Sequence, residues 1–232
     1  MTPRSGPAPQ LAARPKGRVR RQQESAILKA AERVFARTGF EGGTMTEIAS
    51  LAGLPKANLH YYFRCKDELY RAVLDNILSL WLAETEVITI DADPASALSA
   101  YVAAKMRLSA TRPDASRVFA NEVIHGATRI GGFLRDELSS VVAQRALVID
   151  QWASEGRIAP IDATHLFFTI WAATQTYADF ESQVCAVLGK TRLGKADLVR
   201  ASAHVTTVVL RSCGLPCAGA DPATPPLPSI SH

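Results

Sequence analysis

The chain has little cysteine: four in 232 residues, Cys65, Cys185, Cys213 and Cys217. They are too few and too scattered for a disulfide framework. Cys213 and Cys217 form a C-x3-C pair in a Gly-Pro turn, with no second pair and no histidine cluster nearby to complete a metal site. No metal and no cofactor is expected. Apolar runs of about 20 residues are missing too, so no segment is expected to span a membrane. The N-terminus has no apolar stretch of the kind a signal peptide needs, and the expectation is a cytoplasmic protein. Nor does any nucleophile–base pair or carboxylate–histidine set stand at a recognisable spacing, which argues against an enzyme.

Proline is scarce where it matters. Of 13 prolines, four lie in residues 1–15 and five in residues 216–228. Both ends should be irregular. Between them only Pro55, Pro94, Pro113 and Pro160 remain. Proline disrupts helix interiors but is tolerated in the first turn, so the long intervals between these residues can be helical. They are rich in Ala, Leu, Glu and Arg, which favour helix. Ile27, Ala31, Val34 and Phe35 follow the spacing of one helical face, as do Leu69, Val73, Ile77 and Leu80. Further helices are expected over 94–112, 114–125, 132–155, 162–188 and 195–212. Strand-like alternation is weak throughout, so the fold class is all-α.

Charge is unevenly placed. Residues 1–23 hold Arg4, Arg14, Lys16, Arg18, Arg20 and Arg21 and no acid. Removing those six from the 26 basic residues leaves 20 against 22 acidic ones in the remainder. A basic arm on a near-neutral body is either a polyanion contact or a solubilising extension.

Residues 44–63 differ from the rest because their elements are short. Thr44-Met45-Thr46-Glu47 has the form of a capping box: the Thr44 hydroxyl accepts from the Glu47 amide, and the Glu47 carboxylate reaches back. The helix so begun stops at Gly53, which supplies the backbone freedom for a tight turn. Pro55 then preorganises a second helix at its first turn. Two short helices around a glycine turn form a helix-turn-helix, whose second helix enters the DNA major groove. On that helix Leu59 is the inward anchor, while His60, Tyr61 and Tyr62 cannot all face the core. Lysine and tyrosine hydroxyls suit phosphates, asparagine and histidine read base edges, and a small alanine permits close approach. The candidate DNA-contacting residues are Thr44, Thr46, Lys56, Ala57, Asn58, His60, Tyr61, Tyr62 and Lys66. The competing reading is a helical hairpin whose rings pack onto helix 66–89, and for Phe63 that reading is preferred.

The stretch ILKAAERVFARTGFEGGTMTEIASLAGLPKANLHYYFRCKDELYRAVL, residues 27–74, resembles the DNA-binding domain of the TetR family of bacterial transcription regulators. The cap, the turn glycine and the Tyr-Tyr-Phe element occur together at that family's spacing. Cys65 departs from the serine common at the N-cap of the fourth helix, although Glu68 keeps half of that capping box. Two later stretches, RPDASRVFANEVIHG (112–126) and WASEGRIAPIDATHLFFTIWAATQTYADF (152–180), are similar to the branch of the family that regulates pyrimidine use. The resemblance covers about residues 22–212. It implies a basic arm at 1–21, a DNA-binding domain at 22–66, a ligand-binding and dimerisation domain at 67–213 and a Pro-rich tail at 214–232.

Trp171 and Gln175 share one helix face at i, i+4. A carboxamide complements the adjacent N–H and C=O of a uracil-type ring, and a tryptophan one turn away can stack on it. The resemblance implies Trp81, Trp171 and Gln175 as ligand-binding residues, with Phe119 and Asn121 as further candidates. The alternative is that the tryptophans are core and Gln175 meets a buried polar group or a partner subunit. His125 and His165 fit helix ends better than metal sites. His204, Val205, Val208, Val209 and Leu210 include an apolar stripe that would pair with its copy in a homodimer through the last two long helices. The expected partners are therefore double-stranded DNA at a palindromic operator, a small-molecule effector such as uracil or thymine, and a second copy. Two alternatives stand beside this: an unrelated apolar or aromatic effector, or a DNA-binding protein that responds to no ligand.

Overall fold

The computed structural model describes residues 16–216, with side chains from residue 20 onward. Arg4 and Arg14 of the basic arm, Cys217 and the tail beyond it lie outside the described residues. Within them every regular element is helical. The chain forms two compact units that divide between Val73 and Leu74.

The first unit contains α1 (Lys16–Gly42), α2 (Met45–Leu51), α3 (Lys56–Tyr62) and the start of α4 (Lys66–Ala83). Helix α1 begins inside the stretch expected to be an irregular arm, and Gly39 interrupts it with φ 68° and ψ 179°. Ile27, Ala31, Val34 and Phe35 of α1 are buried with Ile48 of α2, Leu59 of α3, and Leu69 and Tyr70 of α4. The Phe35 ring meets Tyr70 edge-on at 4.9 Å. Gly43 is required beside it, because a Cβ there would lie 2.8 Å from Phe35 Cδ1.

The second unit is organised on α5 (Pro94–Thr111), which packs against α9 (Ala163–Asp179) and α11 (Lys195–Ser212). Around them lie α6 (Pro113–Ile124), α7 (Gly131–Phe133), α8 (Ser139–Ser154) and α10 (Glu181–Val187). A 3-10 turn, Glu84–Val87, follows α4, and a π-helical turn, Leu134–Leu138, joins α7 to α8. The core includes Leu98, Tyr101, Val102, Ile149, Trp152, Phe167 and Val205. Trp152 is fully buried, its indole N–H donating to Ile90 O at 3.1 Å. Arg157 also donates to Ile90 O, at 2.7 Å, so two side chains hold the segment before α5.

Several expectations need correction. The single helix expected over 162–188 is two, α9 and α10, parted at Phe180 with φ −115° and ψ 31°. Of the stripe expected to meet a second copy, Val205, Val209 and Leu210 are buried in their own unit, while Val208 is exposed. A helix presents only part of its circumference outward, and here the inward part takes most of the apolar residues. The ordered chain also continues past residue 213. The Leu215 amide donates to Leu210 O at 2.9 Å, and Leu215 packs on the core.

Candidate functional sites: an exposed helix and an aromatic cavity

Helix α2 starts at Thr44, whose hydroxyl accepts from the Glu47 amide at 3.1 Å. The second half of the expected box is different, because the Glu47 carboxylate pairs with Arg37. The chain then turns at Gly53, φ +69°, where any side chain would be strained. Pro55 occupies the N-cap of α3 and not its first helical position; its carbonyl accepts from Asn58 N at 2.9 Å and Leu59 N at 3.2 Å.

One residue anchors α3. Leu59 is fully buried, and Phe63, just past the helix, is 5% exposed. Lys56, Ala57, Asn58, His60 and Tyr61 are exposed, as are Thr44 and Thr46 on and before α2. Tyr61 is 75% exposed, its ring meeting that of Tyr62 edge-on at 5.5 Å. Tyr62 is half-buried, and its hydroxyl donates to Gln23. Lys66 behaves differently from the rest of the expected set. Its ammonium donates to Glu41 O at 3.1 Å and lies 4.5 Å from the Phe40 ring centroid. At α4 the Glu68 carboxylate reaches back as expected, but accepts from Arg64 N at 2.9 Å, one residue before Cys65.

In the second unit a cavity of ≈ 40 Å³ lies among α4, α5, α6, α9 and the π-helical turn. Trp81, Phe119, Trp171 and Gln175 all line it. Trp81 and Phe119 meet edge-on at 4.8 Å. Asn121 does not line the cavity: two residues on from Phe119, it projects to another side of α6. Among the described residues the Gln175 carboxamide has no hydrogen-bond partner. His125 caps α6 and His165 lies beside Asp162 at the start of α9, away from this cavity.

Sequence reasoning missed two polar members of the wall, Tyr101 and Lys105. The Trp171 indole donates to the Tyr101 hydroxyl at 2.7 Å. Burial pushes the Tyr101 phenol up to about 12, against the effect of that hydrogen bond. Lys105 is 3% exposed, with its ammonium 4.2 Å from the Trp81 ring centroid. Burial brings its pKa down to about 8, opposed by the negative charges of Asp179 and Glu84. Asp179 is itself shifted upward by burial, with the Ser116 hydroxyl and the cations of Arg117 and Lys105 opposing. The available signal was spacing: Tyr101 and Lys105 stand at i, i+4 on the same face as Leu98 and Val102, where a lysine is out of place.

Residues 27–73 match the family "Bacterial regulatory proteins, tetR family", and residues 74–216 match "YcdC-like protein, C-terminal region". The chain is 43% identical over 169 residues to the HTH-type transcriptional regulator RutR of Escherichia coli strain K12, covering 73% of this chain and 80% of the relative. It is 34% identical over 100 residues to the HTH-type transcriptional repressor NicS of Pseudomonas putida, 43% of this chain and 47% of that protein. Among solved structures, the fold resembles a transcriptional regulator, SCO4942, from Streptomyces coelicolor, with TM-score 0.63 and 22% identity over 84% of this chain and 99% of that one. It also resembles AibR in complex with isovaleryl coenzyme A and operator DNA, with TM-score 0.57 and 20% identity over 80% of this chain and 97% of that one.

Proposed function

The chain belongs to the tetR family of bacterial regulatory proteins and is a transcriptional regulator rather than an enzyme; from this footing we propose that it is a homodimer on a palindromic operator, released or retained by a pyrimidine base such as uracil or thymine. The observation that carries the effector reading is the aromatic cavity with Gln175 in its wall, a carboxamide with no hydrogen-bond partner among the described residues. Gln175 is half-buried, and the N–H and C=O edge of a pyrimidine would pair with both halves of its carboxamide. Trp81, Phe119 and Trp171 supply the apolar faces that a flat ring needs.

A ligand shifts a conformational equilibrium only through different affinities for the two shapes. The cavity is small, ≈ 40 Å³, and displacement of its wall on binding is the proposed signal. Helix α4 supplies Leu78, Trp81 and Leu82 to that wall, and the same helix carries Leu69 and Tyr70 of the DNA-binding unit. A displacement of α4 would reposition α3 and its copy. Two recognition helices read half-sites about one DNA turn apart, roughly 34 Å, so a small change in their separation lowers affinity.

On the DNA side, Lys56, Asn58, His60 and Tyr61 are the proposed contacts, with Thr44, Thr46, Ala57 and Tyr62 at the rim. For dimerisation, the exposed apolar residues of the last three long or short helices are Phe168, Val187, Val199 and Val208. These replace the buried members of the stripe as the proposed contact with a second copy.

The cavity's leucines also favour a second reading, an unrelated apolar effector, through Leu78, Leu82 and Leu138. Titration decides between them. Uracil and thymine are added to the protein while tryptophan fluorescence is followed, with a purine base as control. Saturable quenching by both pyrimidines, lost in Gln175→Ala, supports the proposal. No response leaves a regulator of this family with a different effector.

A further inference from the structure

We propose that the N-terminal turns of α1 carry a second DNA contact, in which Arg20 and Arg21, with Lys16 and Arg18 before them, bind backbone phosphates beside the groove that α3 enters. This rests on α3 as the reading helix and adds to it a grip that carries no sequence information. Helix α1 is longer than its core needs. It starts at Lys16, yet among the side chains described from residue 20 onward the first buried one is Ile27. Arg20, Arg21, Gln22, Gln23, Ser25 and Ala26 are exposed, so about two turns stand outside the packed part of the helix.

These turns are basic where the helix itself gains nothing from it. Residues 1–23 hold six cations and no acid, and the first turn of α1 has no acidic residue. Cations at this spacing repel one another and oppose the positive end of the helix dipole. Glu24, the first acid in the sequence, is half-buried, and among the described residues neither Arg20 nor Arg21 has an ion-pair partner. A basic segment without packing is stabilised by a polyanion, and its place in the fold decides which one. The Tyr62 hydroxyl, on the last turn of α3, donates to Gln23, which lies within one turn of Arg20 and Arg21. The cations thus adjoin the end of α3 where Tyr61 is exposed. A solubilising extension has no need of a fixed bond to the reading helix. From residue 23 back to residue 16 the helix rises ~10 Å, the span of about three phosphates on one DNA strand.

The test is binding of the full chain to a duplex of arbitrary sequence, about 30 base pairs long, followed by fluorescence anisotropy from about 50 to 200 mM salt. Each phosphate contact contributes about 0.9 to the slope of log affinity against log salt. Arg20→Ala/Arg21→Ala should therefore flatten that slope by about 1.8 per protomer, so that across this range the wild type loses roughly tenfold more affinity than the variant. Both side chains lie outside the core, and thermal melting of the variant should match the wild type. Arg20→Lys/Arg21→Lys keeps the charge and should keep the wild-type slope. Arg192→Ala/Lys195→Ala removes two exposed charges from the second unit and should leave the slope intact. A slope unchanged in Arg20→Ala/Arg21→Ala, or flattened equally by the lysine variant or by the second-unit variant, overturns the proposal and leaves the α3 reading standing. Failure of the wild type to bind the duplex overturns both.

Discussion

Trp171 Nε1 donates to the Tyr101 hydroxyl at 2.7 Å, tying α9 to α5 inside the wall of the aromatic cavity. Tyr101 is 1% exposed, so its hydroxyl cannot turn to water if the indole is removed, and Trp171 is half-buried. Tyr101→Phe should cost about 1–3 kcal/mol by leaving the indole N–H unpaired. The double variant Tyr101→Phe/Trp171→Phe should cost less than the sum of the two single changes, by about 1 kcal/mol. Urea unfolding of the four proteins measures this directly. Strict additivity would mean that water replaces the lost partner.

The Lys105 ammonium has a folded pKa of about 8, below its unfolded value of 10.5, because burial penalises the charge. Between those two values the unfolded chain binds more protons than the folded one, so stability rises with pH across that window. Above pH 10 the Tyr101 phenol, raised to about 12 when folded, works the other way, since the unfolded chain then loses its proton first. Urea midpoints at pH 7.5, 8.5 and 9.5 should therefore climb in the wild type relative to Lys105→Met. The variant should also be the more stable protein at pH 7, because it removes a buried charge. Parallel pH profiles would show that Lys105 is solvated in the folded protein.

The DNA-binding unit was legible because its information is local. A threonine cap, a glycine with positive φ, a proline before a short helix and one leucine anchor each dictate their own few residues. The breaks were less so. Nothing at Phe180 marks the end of α9: no glycine or proline stands there, and the chain turns at an aromatic residue. The π-helical turn at Leu134–Leu138 likewise comes from i+5 pairing that no composition announces. In the cavity, Trp81, Trp171 and Gln175 were found from ring chemistry and a family resemblance. Lys105 was passed over because lysine is so seldom buried that its sequence alone reads as surface. Which face of α11 turns inward depended on the packing of α5 and α9, which periodicity within α11 cannot supply.

At the start of α2 two polar contacts compete for importance. The Thr44 hydroxyl satisfies an amide that no helical carbonyl can reach, and Thr44→Ala should cost about 1 kcal/mol. The Arg37–Glu47 pair joins side chains that are 67% and 37% exposed, where solvent screening leaves little net gain. Arg37→Ala should therefore change stability by less than Thr44→Ala, even though the ion pair is the more conspicuous contact. Thermal melts of the two variants in 0.15 M salt rank them, and the reverse order would show that Arg37 orders α2 beyond its charge.

Leu59 and Tyr61 lie two positions apart on α3 and should fail in opposite ways. Leu59 is fully buried, so Leu59→Ala opens a cavity and should cost about 2–5 kcal/mol. Tyr61 is 75% exposed, so Tyr61→Ala should leave the melting temperature unchanged while weakening DNA binding. If the hydroxyl contacts phosphate, affinity should fall by a similar factor on operator and on unrelated duplex, since backbone contacts carry no sequence information. Asn58→Ala provides the contrast, because a base-edge contact worth about 1–3 kcal/mol is lost on the operator alone. Binding is measured by fluorescence anisotropy at several salt concentrations on both duplexes. Lys56→Ala should flatten the salt dependence by about one counterion, as removal of a phosphate-bound cation requires. A Tyr61→Ala protein with full DNA affinity would return α3 to the helical-hairpin reading, in which its rings serve the fold.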